Sequence, residues 1–145
     1  MVKITDSSIN IEKLLVQVTK PESGAVNVCI GTTRNHSHGR KVTRLEYEAY
    51  LPMALKTLEE LQQEAKNRWD LHDVTIVHRV GRVDVGEASV VIAVSSAHRD
   101  EAYQASRFLI DKLKLVVPIW KREFFEDGTV EWSLQTHEQT TETEA

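Results

Sequence analysis

The order of its predicted elements constrains the fold of this chain most, because strand-like segments occur in pairs between helical segments. Strands are predicted at residues 3–5, 25–31, 42–50, 74–80, 88–95, 120–125 and 129–134. Helices are predicted after a cap at Ser7 or Ser8, from Pro52 to about Trp69, and over Arg99–Val116. Strands paired between helices favour an α+β fold over a doubly wound parallel one. We therefore predict three helices packed on one mixed, largely antiparallel sheet.

Apolar residues recur at helical spacing in all three helical segments, which gives each a predicted buried face. These residues are Ile11, Leu14, Leu15 and Val18 in the first, Leu51, Leu55, Leu58, Leu61 and Ala65 in the second, and Ala102, Ala105, Phe108, Leu109, Leu113 and Val116 in the third.

Turn-forming residues predict where the loops between helices and strands lie. Residues 32–41 are predicted to be a polar loop, and residues 81–87 a turn-rich link. Pro118 disfavours helix at Val117, so the chain should become extended there. Glu126-Asp127-Gly128 is expected to form a hairpin turn.

Composition limits the class of protein. The 145 residues are predicted to form a single domain over residues 1–135, with an acidic, threonine-rich and disordered tail at 136–145. A formal net charge of −4 argues against nucleic-acid binding. No apolar run has the length of a membrane span. The single cysteine, Cys29, fits a reducing, cytoplasmic setting and is expected to be an inert structural thiol.

The loop after the second strand is basic and contains Arg34, His36 and His38. It can be a solvated hairpin loop. The spacing of the two histidines is compatible with a metal, although no cysteine or carboxylate accompanies them. Alternatively, Arg34 presents its guanidinium group to a phosphate or carboxylate.

Residues 95–99 read Ser-Ser-Ala-His-Arg where a strand leads into the third helix. The first-turn N–H groups and the helix dipole favour an anion there, and His98 and Arg99 would add donors. The alternative is that Ser95 or Ser96 simply caps the helix.

Lys114 and Lys121 are the candidates for chemistry. Lys114 lies in the last turn of the third helix, where the dipole favours any cation. Lys121 lies between Trp120 and Arg122. Burial and nearby positive charge both disfavour a charged amine, so Lys121 could act as a base or nucleophile. Glu123 could orient these groups or neutralise them.

With these motifs in place, the sequence resembles the large, catalytic subunits of molybdopterin synthases over residues 24–134. The resemblance rests on the order and spacing of short motifs. These are Gly31-x-x-Arg34-Asn35-His36, Lys66-Asn67-Arg68-Trp69, His78-Arg79-Val80-Gly81, Ser95-Ser96-Ala97-His98-Arg99 and Lys114-x-x-x-Pro118-x-Trp120-Lys121-Arg122-Glu123.

The resemblance implies a hammerhead-like α+β sulfurtransferase that converts cyclic pyranopterin monophosphate to molybdopterin. The sulfur comes from the thiocarboxylated C-terminus of a small ubiquitin-like partner subunit, and two large subunits form the central dimer of a heterotetramer. No cofactor or metal of the chain's own is implied, because the pterin is the substrate. Lys114 and Lys121 carry over as catalytic residues, and the substrate-binding residues are Arg34, His98, Arg99, Lys114, Lys121, Arg122 and Glu123.

Two other functions remain open on the residues alone. A non-catalytic module could use the same basic cluster to hold a phosphorylated metabolite or an acidic protein tail. RNA binding through residues 34–44 is the weaker alternative, because the chain is acidic and has only nine aromatic residues (three each of Trp, Tyr and Phe).

Overall fold

A computed structural model describes residues 1–134, so the predicted tail at 136–145 lies outside the described residues. These residues form three helices and nine strands. In chain order they are β1 (Val2–Thr5), α1 (Ile11–Val18), β2 (Ala25–Thr32), β3 (His36–Ser37), β4 (Arg40–Ala49), α2 (Leu51–Arg68), β5 (Leu71–Arg79), β6 (Gly81–Asp84), β7 (Ala88–Ser96), α3 (Arg99–Val116), β8 (Ile119–Phe125) and β9 (Val130–Leu134).

The first sheet is mixed and has the strand order β1-β5-β7-β2. β1 is parallel to β5, whereas β7 is antiparallel to both β5 and β2. Residues 91–94 of β7 are fully buried, because the sheet is covered on both faces. Leu14 of α1 packs with Val77 and Val91 on one face, and α2 and α3 cover the other.

The second sheet is antiparallel and has the order β3-β4-β8-β9, with β6 also paired to β4. β3 and β4 form a hairpin whose turn, His38-Gly39, has φ values of 51° and 75°. Two consecutive residues with positive φ are typical of a type I′ turn, and glycine adopts this conformation without strain. Inward-facing residues of β4, β6 and β8 pack against the core that α2, α3 and the first sheet form.

The α+β class and the helix positions are confirmed, but the strands form two sheets rather than one. Sequence alternation indicates which residues face inward in a strand, yet it does not indicate which strands pair. The predicted buried faces are also narrower than expected. Leu51, Leu55 and Val116 are 53%, 38% and 50% exposed; the buried residues of α2 are instead Ala54, Leu58, Leu61 and Ala65.

Three local predictions were wrong. The N-cap of α1 is Asn10 rather than Ser7 or Ser8, since its Oδ1 accepts a hydrogen bond from the Lys13 N–H at 3.1 Å. The predicted loop at 32–41 contains β3, and the predicted link at 81–87 contains β6. Both strands are too short to show a period, and they form because β4 offers them a backbone edge. No helix within residues 1–134 is long and apolar enough to cross a membrane.

Candidate active site

A cavity of about 250 Å³ lies where the two sheets and the C-terminal half of α3 meet. Both sheets contribute walls, and residues distant in sequence converge on it. The lining residues are Cys29, Gly31, Thr32, Arg34, His36, Ser37, Val42, Leu45, Tyr47, His78, Ser89, Val90, Ile110, Lys114, Lys121 and Glu123.

β8 places a lysine and a glutamate on the inner wall of the cavity. Buried and half-buried residues alternate along this strand, so that Lys121 and Glu123 face inward with exposures of 8% and 5%. Lys121 lies directly opposite Tyr47 in the pairing of β4 with β8. An amine and a carboxylate are therefore held inside the protein on a rigid strand.

Two further cations lie at the rim of the cavity. Lys114 is in the last turn of α3, and Arg34 lies in the segment that follows β2. Both are exposed residues that also line the cavity. The opening is therefore positively charged, and it can receive an anion that extends inward toward Lys121.

A buried histidine forms another part of the wall. His78 is 1% exposed, and its Nδ1–H donates to the Arg79 carbonyl oxygen at 2.8 Å. Its ring meets the Tyr47 ring edge to face, with 5.2 Å between centroids. Burial lowers the pKa of His78 to about 4, and the nearby positive charge of Lys114 acts in the same direction. The imidazole is therefore neutral at physiological pH.

Cys29 also lines the cavity, on the wall formed by β2. Burial raises the pKa of its thiol, and Lys114 partly opposes that effect. The thiol is therefore held in its neutral, weakly nucleophilic form, in agreement with the expectation from sequence.

The structure separates His98 and Arg99 from this cavity. Both are exposed at the start of α3, and Lys114 lies 15 residues further along the helix, a distance of about 22 Å. Neither Ser95 nor Ser96 caps the helix. The N-cap is His98, which makes no side-chain capping bond, and the Ser96 hydroxyl donates to the His98 carbonyl oxygen at 2.5 Å.

Arg122 faces away from the cavity because it alternates with Lys121 and Glu123. Its guanidinium group donates to Glu46 at 2.7 Å and lies 5.0 Å from the centre of the Trp132 ring. The structure therefore brings together Arg34, Lys114, Lys121 and Glu123, and it places Arg122 on the opposite side of the sheet.

Sequence reasoning gave no site role to three further polar wall residues, Ser37, Tyr47 and His78, and it considered His36 only as a possible metal ligand. The signal for His78 was its place in the motif His78-Arg79-Val80-Gly81, although the motif does not show that the side chain is buried. The positions of His36 and Ser37 depend on β3, which has no sequence signature.

Comparison with known proteins identifies the family. The family model described as MoaE protein matches residues 4–115. The chain belongs to the MoaE protein family. Lys121 and Glu123 lie beyond the matched residues, so their place in the site rests on the geometry of β8.

Similar sequences carry the name molybdopterin synthase catalytic subunit. One from Bacillus subtilis is 47% identical over 126 residues, which cover 87% of this chain and 80% of that protein. One from Thermoplasma volcanium is 46% identical over 131 residues, covering 90% of this chain and 96% of that protein. The family and the enzyme class predicted from the sequence, a sulfur-transferring catalytic subunit in molybdenum cofactor biosynthesis, are confirmed.

Solved structures share the fold. A crystal structure of molybdopterin synthase from Staphylococcus aureus has a TM-score of 0.85 and 40% sequence identity, and covers 90% of this chain and 94% of that one. A complex of subunits 1 and 2 of molybdopterin-converting factor from Helicobacter pylori has a TM-score of 0.76 at 20% identity, over 91% of this chain and 89% of that one.

Proposed function

We propose that this chain converts cyclic pyranopterin monophosphate to molybdopterin with sulfur from the thiocarboxylated C-terminus of a small ubiquitin-like partner subunit. The observation that supports this most strongly is the cavity in which Lys121 is buried while Lys114 and Arg34 lie at the mouth. Its positive mouth suits both an anionic pterin and an anionic donor tail. The Helicobacter pylori complex of two converting-factor subunits supports a small partner subunit.

Arg34 anchors the substrate in this proposal. Its guanidinium group offers a planar set of donors that matches the oxygens of a phosphate. Because Arg34 is exposed at the rim, it can bind the phosphate while the pterin ring extends into the cavity. The chain's own side chains supply the anion-binding, acid and base groups, and the pterin is the substrate rather than a cofactor.

Lys114 and Lys121 act on the donor tail and the reacting atoms. Lys114 binds the thiocarboxylate as it enters, or holds the acyl intermediate. Lys121, deeper in the cavity, transfers protons while each carbon–sulfur bond forms. Glu123 lies on the same face of β8 and supplies negative charge beside this amine. Each thiocarboxylate delivers one sulfur atom, so two donor tails are used per molybdopterin.

A homodimer within a heterotetramer explains how His98 and Arg99 can contribute. β2 is an edge strand of the first sheet, and its Val26 and Ile30 are 37% and 43% exposed. An edge strand presents backbone donors and acceptors to another strand. Two copies of β2, paired antiparallel about the middle of the strand, would place Ala25 of one copy opposite Thr32 of the other.

This pairing would bring the start of one α3 to the cavity of the other copy. Gly24 donates its N–H to the Ser96 carbonyl oxygen at 3.0 Å, and a Cβ at Gly24 would collide with the Ala97 carbonyl oxygen. The start of β2 therefore lies against the residues that precede His98. In the dimer, His98 and Arg99 of the second copy would approach Arg34 and provide further donors for the phosphate.

The test is reconstitution from purified components. The chain is mixed with a thiocarboxylated small subunit and cyclic pyranopterin monophosphate in a reducing, cytoplasm-like buffer, and molybdopterin is measured. Formation of molybdopterin that requires both lysines supports the proposal. Tight binding of the pterin or the small subunit without product would indicate a non-catalytic binding module instead.

A further inference from the structure

The segment that carries Arg34 is held by contacts on both sides. Thr33 is 3% exposed, its N–H donates to the Glu87 carbonyl oxygen at 3.1 Å, and its own carbonyl accepts from the Gly86 N–H at 2.9 Å. On the other side, the Asn35 carbonyl accepts from the Val42 N–H at 2.9 Å. Arg34 belongs to no helix or strand, so these bonds fix the direction in which its backbone presents the side chain.

The turn at residues 84–87, which makes both of these hydrogen bonds to Thr33, is itself held in place by the carboxylate of Glu87. Glu87 closes the turn through its N–H, which donates to the Asp84 carbonyl oxygen at 3.0 Å. Its Oε1 also accepts from the Asp84 N–H at 2.8 Å and lies 3.4 Å from Nη1 of Arg79. The turn is otherwise exposed, with Val85 at 42% exposure and Gly86 at a φ of 84°.

Arg79 is well placed to hold that carboxylate because it is largely buried. It ends β5, and its side chain is 12% exposed. A buried guanidinium group without its ionic partner strongly destabilises the folded protein. The conformation in which the Glu87 carboxylate contacts Arg79 is therefore favoured. The backbone of Arg79 also holds the cavity wall, since its carbonyl oxygen accepts from His78.

We infer that the Arg79–Glu87 ion pair positions Arg34 for binding the substrate phosphate. Neither Arg79 nor Glu87 lines the cavity, so their ion pair acts on Arg34 through the turn, Thr33 and the backbone. This role rests on the proposed function, because it requires Arg34 to bind the substrate phosphate.

The test uses Glu87→Gln, which keeps the shape of the side chain and removes its charge. The complete complex is assayed with the cyclic pterin as the varied substrate. We expect KM for the pterin to rise about tenfold while kcat changes less than about twofold. The reason is that Arg34 is displaced, whereas Lys114 and Lys121 keep their positions. Arg82→Gln is the matched control, since it breaks an exposed ion pair with Asp84, the first residue of the same turn.

A double-mutant cycle separates positioning from a general structural effect. In the Arg34→Ala background, Glu87→Gln should cause no further rise in KM, because the anchor that it positions is already absent. An additive rise in KM would overturn the inference. If Glu87→Gln does not fold, Arg79→Lys is used in the same cycle, because it keeps the charge and loses the planar fork.

Amide hydrogen exchange gives a readout that is independent of activity. The Thr33 N–H should exchange about tenfold faster in Glu87→Gln than in the wild type or in Arg82→Gln, because its bond to residue 87 is weakened. Unchanged exchange at Thr33 would contradict the positioning role. If Arg34→Ala leaves KM unchanged while Thr33 exchange still accelerates, the proposed role of Arg34 is wrong and the ion pair still positions the segment.

Discussion

The ring of His78 lies against the ring of Tyr47, and Tyr47 lies directly opposite Lys121 in the pairing of β4 with β8. The neutral imidazole of His78, in the first sheet, therefore contacts Tyr47, which is the neighbour of the buried Lys121 in the second sheet. This contact joins the two sheets at the wall of the cavity.

His78 should make the stability of the fold depend on pH. Its pKa falls from an unfolded value of 6.5 to about 4 in the folded chain, so the unfolded chain binds more protons between these values. Its contribution to stability is complete above pH 6.5 and is lost as the pH falls toward 4. Between pH 7 and pH 5, about 2 kcal/mol of the free energy of unfolding should be lost through this residue.

Urea denaturation of His78→Gln at both pH values checks this prediction. The variant should lose less stability than the wild type between pH 7 and pH 5. His36→Gln is the control, because His36 is exposed in the folded chain. Equal losses of the free energy of unfolding in the wild type and His78→Gln would contradict the prediction, because they would show that His78 is protonated at pH 5 in the folded state as it is in the unfolded state.

Lys114→Ala should reduce sulfur transfer by about 10²-fold or more, because the amine at the mouth no longer binds the thiocarboxylate. Lys112→Ala is the matched control, since Lys112 is an exposed lysine on the same helix that does not line the cavity. Single-turnover rates with saturating small subunit separate the loss of chemistry from the loss of affinity. Similar rates for the two variants would remove Lys114 from the mechanism.

Arg122→Gln should leave sulfur transfer within about twofold of the wild type, although the family resemblance implied a substrate-binding role. The residue faces the outer surface of the second sheet and pairs with Glu46, both side chains being partly exposed at 34% and 24%. The free energy of unfolding should fall by about 1 kcal/mol or less. A large rise in KM for the pterin with unchanged stability would restore Arg122 to the site.

Mixed dimers test whether His98 and Arg99 act on the cavity of the other copy. One chain carries His98→Ala with Arg99→Ala, and the other carries Lys121→Ala; each homodimer should be inactive. Random exchange makes half of the dimers mixed, and one cavity in each mixed dimer is complete, so about a quarter of wild-type activity should return. No recovery after verified subunit exchange would exclude the shared site.

Ile30→Asp should weaken that dimer, because a carboxylate is introduced on the exposed edge strand β2. Sedimentation velocity should show monomer at concentrations where the wild type is dimeric, and activity should fall with the dimer fraction. Val16→Asp is a matched control, since Val16 is 73% exposed on α1 and lies outside the proposed interface. Equal sedimentation of Ile30→Asp and the wild type would place the interface elsewhere.

Much of the fold was predictable because local rules determine it. The limits of α3 follow from its apolar period and from Pro118, which prevents helix at Val117. β3 and β6 were not predictable, because such short strands form only where β4 provides a partner. The division into two sheets depends on long-range pairing that local periodicity does not encode.

The site was predictable in part. The inward direction of Lys121 and Glu123 and the outward direction of Arg122 follow from strand alternation, which the sequence reasoning did not apply. The distance of His98 and Arg99 from Lys114 likewise follows from the helical rise. The burial of His78 beside Tyr47 was not predictable, because it depends on how the two sheets pack.

The rate of molybdopterin formation by Lys121→Ala tests the central claim most directly. The complex with thiocarboxylated small subunit should form with wild-type affinity, and the rate should fall by about 10²- to 10⁴-fold, as expected for the loss of a general acid or base. Near-normal formation of molybdopterin by this variant, in an intact complex, would contradict the account.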